Sequence, residues 1–232
     1  MELEGVLVDT REARRAALLE SLTEEGVVLD ATEFDEVAVG MTPRQGARAL
    51  LARHGRMRDE TTIDLIAMRA DRAFGARLGK GITMQPGAME LVSRMHGCAR
   101  LALVSRARRR EVDFVLGLSG LDLAFESVVT ADDVREPKPS EEGYVAALAR
   151  LHRRAVLAPI ACVALEDSIA GIRAARRAGL RCVAVGALPA HRVLEADGVV
   201  ASLVGITPRF LETVAPVPSG FASDGLRGTR PA

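Results

Sequence analysis

The chain has 232 residues, of which 48% are hydrophobic and 27% charged, and its 31 basic and 31 acidic residues cancel to a formal net charge of zero. That suits one sizeable domain, or a core with a smaller inserted module, and it excludes a broadly basic nucleic-acid surface or an acidic tail. With no Trp and one Tyr there is little aromatic material for stacking bases or sugars.

Taken in order, the chain opens with a short apolar run, Gly5-Val6-Leu7-Val8, which reads as a strand. From about Thr10 to Leu78 apolar residues recur at helical spacing, as in Ala17, Leu18 and Leu22, then Ala47, Leu50 and Leu51, then Ile63, Leu65, Ile66 and Met68. Gly26, Gly40-Met41-Thr42-Pro43 and Gly55 punctuate this stretch, which reads as a small helical module. From Pro86 onward strands and helices alternate. Helix 88–95 precedes strand 101–104, helix 111–118 precedes strand 127–129, and helix 141–151 precedes strand 160–165. Helix 169–178 then leads to strand 181–185, and Gly198-Val199-Val200 closes the series. Near-continuous apolar strands between helices predict a parallel sheet covered on both faces. Residues 216–232, rich in Pro, Gly and Ser, read as a disordered tail.

Cys98, Cys162 and Cys182 form no CxxC pair, which argues for buried thiols in a reducing cytoplasm rather than a disulfide or zinc framework. His54, His96, His152 and His191 share no ligand spacing. No apolar stretch is long enough to span a membrane, and no secretory leader is visible. The dense arginines at 106–110 and 173–177 read as solvated helix faces.

In open α/β sheets, ligands bind beyond the carboxyl ends of the strands. Ser105 follows strand 101–104, and Glu166, Asp167 and Ser168 follow the apolar run 160–165. Asp132, Asp133 and Lys138, the last between two prolines, follow strand 127–129, and Glu2, Glu4 and Asp9 stand at the start. Carboxylates hold Mg²⁺, while Lys and Ser bind phosphate oxygens, so the set suits phosphoryl chemistry.

Four segments, in order, resemble the motifs of the haloacid-dehalogenase-like superfamily, in its branch of phosphoglycolate phosphatases and β-phosphoglucomutases. Met1-Glu2-Leu3-Glu4-Gly5-Val6-Leu7-Val8-Asp9-Thr10 resembles the first motif, Leu103-Val104-Ser105 the second, Lys138-Pro139 the third, and Glu166-Asp167-Ser168-Ile169-Ala170-Gly171-Ile172-Arg173-Ala174-Ala175 the fourth. The resemblance runs from about Met1 to Thr213. It implies a Rossmann-like parallel sheet with an inserted helical cap, the core formed by residues 1–9 and 80–215 and the cap by 10–79. It implies that Glu2 stands at the nucleophile and Glu4 at the general acid/base, whose backbone carbonyl also meets the metal. Ser105 and Lys138 would bind the phosphoryl group, and Glu166 and Asp167 would complete an Mg²⁺ site with Glu2 and Glu4. Gly40-Met41-Thr42-Pro43-Arg44 resembles the cap loop that meets the remote part of the substrate, with Arg44 as its anion contact.

The sequence departs from the family where the chemistry is most sensitive, because both aspartates of the first motif are glutamates here. Each glutamate reaches one methylene further. The expected activity is an Mg²⁺-dependent phosphatase for a small phosphorylated metabolite, slowed by these changes, with no nucleic-acid or membrane partner. Two alternatives are a catalytically inactive relative that binds a phosphorylated ligand or a protein partner, and a sugar phosphomutase. Monomer and homodimer are equally compatible with the sequence.

Overall fold

A computed structural model describes residues 1–38, 41–153, 157–186, 188 and 194–214. Gly40, His191 and the tail read as 216–232 therefore lie outside the described residues.

The core contains two parallel ladders. In one, β3 (Ala102–Val104) pairs with β4 (Ser127–Val129); in the other, β6 (Arg181–Val185) lies between β5 (Val163–Glu166) and β7 (Gly198–Val200). Met1–Leu3 joins them. The Met1 amine donates to the Ala102 carbonyl at 2.7 Å, Val104 N donates to the Met1 carbonyl at 2.9 Å, and Glu2 N donates to the Leu165 carbonyl at 3.1 Å. These three residues thus serve as the strand between β3 and β5. Glu2 is placed level with Val104 and Leu165, where both neighbouring strands end.

The run Gly5–Val8 is a correction to the sequence reading. Leu7 N and Val8 N both donate to the Leu3 carbonyl, at 2.9 and 3.0 Å, so the chain coils tightly after Leu3. Only Val8–Asp9 is extended, as β1, pairing antiparallel with β2 (Thr83–Met84). Val6, Leu7 and Val8 are apolar because they fill the core, not because they alternate across a sheet. The strand read as 160–165 likewise begins only at Val163, since Pro159–Ala161 is a 3₁₀ turn. Cys98 is exposed and Cys162 half-buried; of the three thiols only Cys182 is buried.

Helices α5 (Ala88–Met95), α6 (Arg109–Ser119), α7 (Glu142–His152), α8 (Ile169–Arg177) and α9 (Pro208–Val214) belong to the core. Between β1 and β2 stand four more: α1 (Arg11–Thr23), α2 (Ala31–Val37), α3 (Pro43–Arg53) and α4 (Glu60–Leu78). Local chemistry starts them. Asp30 and Asp59 cap α2 and α4 by accepting from Glu33 N and Thr62 N, and Thr42 and Gln45 form a reciprocal capping box ahead of Pro43. Leu22, Leu50, Leu51, Ile63 and Ile66 give these helices an apolar core of their own, while Ala17 and Phe74 pack into the main one. This is the inserted helical cap on a Rossmann-like sheet. Among the described residues no helix is long and apolar enough to cross a membrane.

Asp133 pins the exit of β4. Its Oδ2 accepts from Thr130 N and Oγ1, both at 2.8 Å, and from Arg109 at 2.7 Å, while its Oδ1 accepts from Arg150 at 2.6 Å. Burial alone would raise its carboxyl, but the Arg150 and Thr130 hydrogen bonds and the Arg109 charge hold it well below the usual range. Asp132 caps α6 by accepting from Arg109 N at 2.8 Å. Both carboxylates thus serve the fold, a correction to their grouping with the phosphoryl toolkit. A carboxyl depressed by folding contributes stability above its unfolded value and loses it as pH falls. Asp133→Ala should therefore cost ~1–3 kcal/mol in urea unfolding at pH 7, and the deficit should shrink as pH falls below ~4.

Candidate active site

The ammonium of Lys138, in the turn before α7, lies at the centre of a buried charge cluster. It donates to Glu2 Oε2 at 2.7 Å, to the Val104 carbonyl at 2.8 Å and to Glu166 Oε1 at 2.5 Å. Its side chain and those of both carboxylates are at most 5% exposed. Residues 136 and 28 positions away in sequence meet here because Glu2, Val104 and Glu166 sit at the carboxyl ends of three adjacent strands. An isolated buried charge is very costly, so the three groups exist in this setting only together.

Glu2 Oε1 accepts from Leu3 N at 2.8 Å. Burial would push the Glu2 carboxyl up, but the Lys138 ammonium outweighs it, helped by a hydrogen bond from Ser105, and holds the group ionised. Ser105 is itself 5% exposed, and its Oγ accepts from Ala107 N at 3.2 Å. Glu166 is raised, first by burial and then by the Glu2 charge, against the pull of Lys138 and Tyr144. Its Oε1 also accepts from the Tyr144 hydroxyl at 2.5 Å. Its Oε2 has no hydrogen-bond partner among the described residues and lies over Gly171, where an added Cβ would be 1.8 Å away. A glycine in the first turn of α8 is what lets Glu166 lie this deep.

Asp167 follows β5 directly. Its carboxylate packs over the left-handed Gly5 (φ 77°), where a Cβ would come within 1.9 Å of Oδ2. Among the described residues no hydrogen bond reaches it. Burial, then the charges of Glu166 and Glu2, push its carboxyl up to about 7, with Arg106 and Lys138 opposing.

Glu4 lies outside this cluster. Arg14 of α1 grips it, with Nε 2.8 Å from Oε1 and 3.0 Å from Oε2, and Nη2 2.5 Å from Oε1. Glu2, Glu4, Ser105, Lys138 and Asp167 all border one cleft of about 2220 Å³ between the sheet edge and the cap.

The sequence profile of the haloacid dehalogenase-like hydrolases matches residues 3–179. The chain belongs to this family. It is 30% identical to Protein CbbY of Rhodobacter capsulatus over 78% of this chain and 82% of that one. It is 29% identical to the validoxylamine A 7'-phosphate phosphatase of Streptomyces hygroscopicus subsp. limoneus, over 84% and 89% of the two chains. The crystal structure of CbbY from Rhodobacter sphaeroides in complex with phosphate superposes with a TM-score of 0.72 at 27% identity, covering 88% of this chain and 93% of that one. Two plant relatives are much longer, and the chain spans only 18% and 53% of their lengths.

Within this hydrolase fold, Glu2, Ser105, Lys138, Glu166 and Asp167 lie together at the strand ends, and Glu4 and Arg44 stand apart from them. Arg44 is half-exposed on α3, pairing with Asp64 at 2.5 Å and with Glu60, yet it borders the same cleft. Asp9, which follows the apolar run most directly, is exposed and caps Arg11 N at 3.2 Å. Two residues were missed. Tyr144 carries a sequence signal, being the only tyrosine and six residues beyond Lys138. Arg14 carries none, since it is one of several arginines on a helix.

The donor set suits Mg²⁺, a hard ion that takes one or two carboxylates and otherwise keeps water. Among the described residues no three acidic, His or Cys side chains converge into a closed cage. A carboxylate at Asp167 with no hydrogen bond among the described residues, and a second at Glu2, is the sparse set this ion accepts. A raised carboxyl favours the folded state below its unfolded value and loses that contribution as pH rises through its folded one. Stability of the metal-free protein should thus fall by ~1.4 kcal/mol per pH unit between pH ~4 and ~7 from this group alone. Asp167→Asn should flatten that slope in urea titrations. Lys138→Met should cost ~3–5 kcal/mol, because it strands two buried carboxylates.

Proposed function

We propose that this hydrolase is an Mg²⁺-dependent phosphatase acting on a small phosphorylated metabolite in the cytoplasm. The observation that supports it best is the Lys138 ammonium bound at once to Glu2 and to the strand-end carbonyl of Val104, with Ser105 beside it. A nucleophilic carboxylate and the positive charge that offsets phosphoryl oxygens then stand side by side. The phosphatase and phosphate-bound relatives point the same way.

In this reading Glu2 attacks phosphorus in line, forming an acyl phosphate as the ester oxygen departs. Lys138 and the Ser105 hydroxyl hold the equatorial oxygens. Glu4 gives a proton to the leaving oxygen, then takes one from the water that opens the acyl phosphate and restores Glu2. Asp167, Glu2 and the Glu4 carbonyl would hold Mg²⁺, which supplies charge neutralisation at the transferring group. Glu166 fixes Lys138 from below, and the cap excludes bulk water from the cleft. Free thiols at Cys98, Cys162 and Cys182 fit a reducing compartment.

A second reading, a catalytically inactive relative that binds a phosphorylated ligand, has one observation in its favour. Every carboxylate oxygen of Glu2 and Glu4 already accepts a hydrogen bond. A panel of phosphate esters assayed with Mg²⁺ separates the two. The phosphatase reading expects wild-type turnover that Glu2→Ala lowers by at least ~10³-fold. Wild-type silence with activity only in Glu2→Asp/Glu4→Asp would establish the second reading. Under either, Mg²⁺ with inorganic phosphate at ~100 times Kd should stabilise the fold by ~2.7 kcal/mol, seen as a rise in Tm.

A further inference from the structure

Glutamate at position 4 has one more rotatable bond than aspartate, so a proton-transfer group there needs an external anchor. The structure supplies one from the cap. Arg14 lies on α1 with its guanidinium carbon 3.9 Å from the centroid of the Phe74 ring of α4, within cation–π range. Its Nη2 also reaches Glu111 of the core helix α6 at 3.4 Å. One side chain on cap helix α1 thus touches the Glu4 loop, a core helix and a second cap helix.

The grip on Glu4 is unequal. Among the described residues Oε1 receives both Nη2, at 2.5 Å, and Nε, at 2.8 Å, whereas Oε2 receives only Nε, at 3.0 Å. Oε1 is anchored, and Oε2 keeps acceptor capacity for another partner in the cleft that both residues border. Arg14 is more than a surface pairing. Burial opposes its charge, yet Glu4 first, then Glu111 and Asp71, more than offset that and raise it. Glu111 and Asp71 are themselves raised, first by burial, and each is relieved by Arg14. Three carboxylates therefore share this guanidinium, and Glu4 has its shortest and most numerous contacts.

We infer that Arg14 is the positioning residue of Glu4: it clamps Oε1 in its fork and presents Oε2 as the atom that moves the proton. This rests on the phosphatase reading, in which Glu4 protonates the leaving oxygen and then deprotonates water. An acid/base group must be held within roughly 0.5 Å of its working place, and a displacement of about 1 Å costs roughly 10²-fold in rate. The Glu2 attack on phosphorus does not use Glu4 when the leaving group departs as a stable anion.

That asymmetry defines the test. With p-nitrophenyl phosphate and Mg²⁺, rapid mixing reads a nitrophenolate burst, the Glu2 attack, and then steady turnover, which needs Glu4 to deprotonate water. Arg14→Ala should leave the burst rate within about threefold while steady turnover falls roughly 10²-fold; with ethyl phosphate, where the leaving oxygen needs a proton, both phases should fall. Arg14→Lys, which keeps the charge but loses the fork, should recover only part of the loss. Adding Arg14→Ala to Glu4→Gln should cost less than about twofold further in turnover, and the two changes should be non-additive in Tm. Burst and turnover falling together, or multiplicative losses with Glu4→Gln, would overturn the assignment of Arg14 while leaving the phosphatase reading intact. Should Arg14→Ala fold poorly, Arg14→Gln is read by the same two phases. A wild type silent on all esters would instead remove the phosphatase reading and this inference with it.

Discussion

Two carboxylates and one ammonium, all nearly sealed from water, set the terms for the rest of this molecule. Lys138 cannot be buried without Glu2 and Glu166, and neither glutamate can stay at that depth without Lys138. Such a cluster specifies geometry more than it adds stability. It requires three strand ends to be level, a glycine at 171 to make room for Glu166, and a tyrosine to share its oxygen. The sheet order and the first turn of α8 satisfy those requirements, so the layout of the fold and the layout of the charges are one problem with one solution.

The cluster is also unbalanced in sign. Adding Asp167 gives three acidic groups about one ammonium, with Arg106 acting on Glu2 and Asp167 through its charge. Burial raises the carboxyl of Asp167 first, and the charges of Glu166 and Glu2 add to it. In the proposed phosphatase reading a phosphoryl group alone would add to the negative charge, and an accompanying cation would offset it. In that reading the two ligands would be coupled through the site's electrostatics.

Much of this was legible in the sequence, for identifiable reasons. Strands 127–129, 181–185 and 198–200 and helix 88–95 agree residue for residue, because each is a short apolar run or an amphipathic stretch bounded by turn residues. The residues after each strand end pointed to Ser105, Lys138, Glu166 and Asp167. The failures have physical causes. Val6–Val8 are buried by tight coiling after Leu3, and hydrophobicity alone cannot tell that from a strand. β2 has only two residues and exists through pairing with β1. Asp132 and Asp133 lie in the right loop but face Arg109, Thr130 and Arg150, a matter of side-chain direction that spacing does not reveal. Arg14 was invisible because its meaning comes from a fold that brings Glu4 and Phe74 to it.

The segment Met1–Leu3 carries a further consequence. It lies between two ladders that have no other strand in common, and its pairing with Ala102 spans 101 residues. On a ribosome adding ~5–20 residues per second, it is made on the order of 10 s before the later of its two neighbours emerges. Until then it has only β3 to pair with, and the Glu2–Lys138 pair lacks Glu166. Closure of the sheet is thus a late, non-local event of the kind that slows folding. It coincides with completion of the buried charge cluster, which needs Glu166 of β5 as well as Glu2 and Lys138.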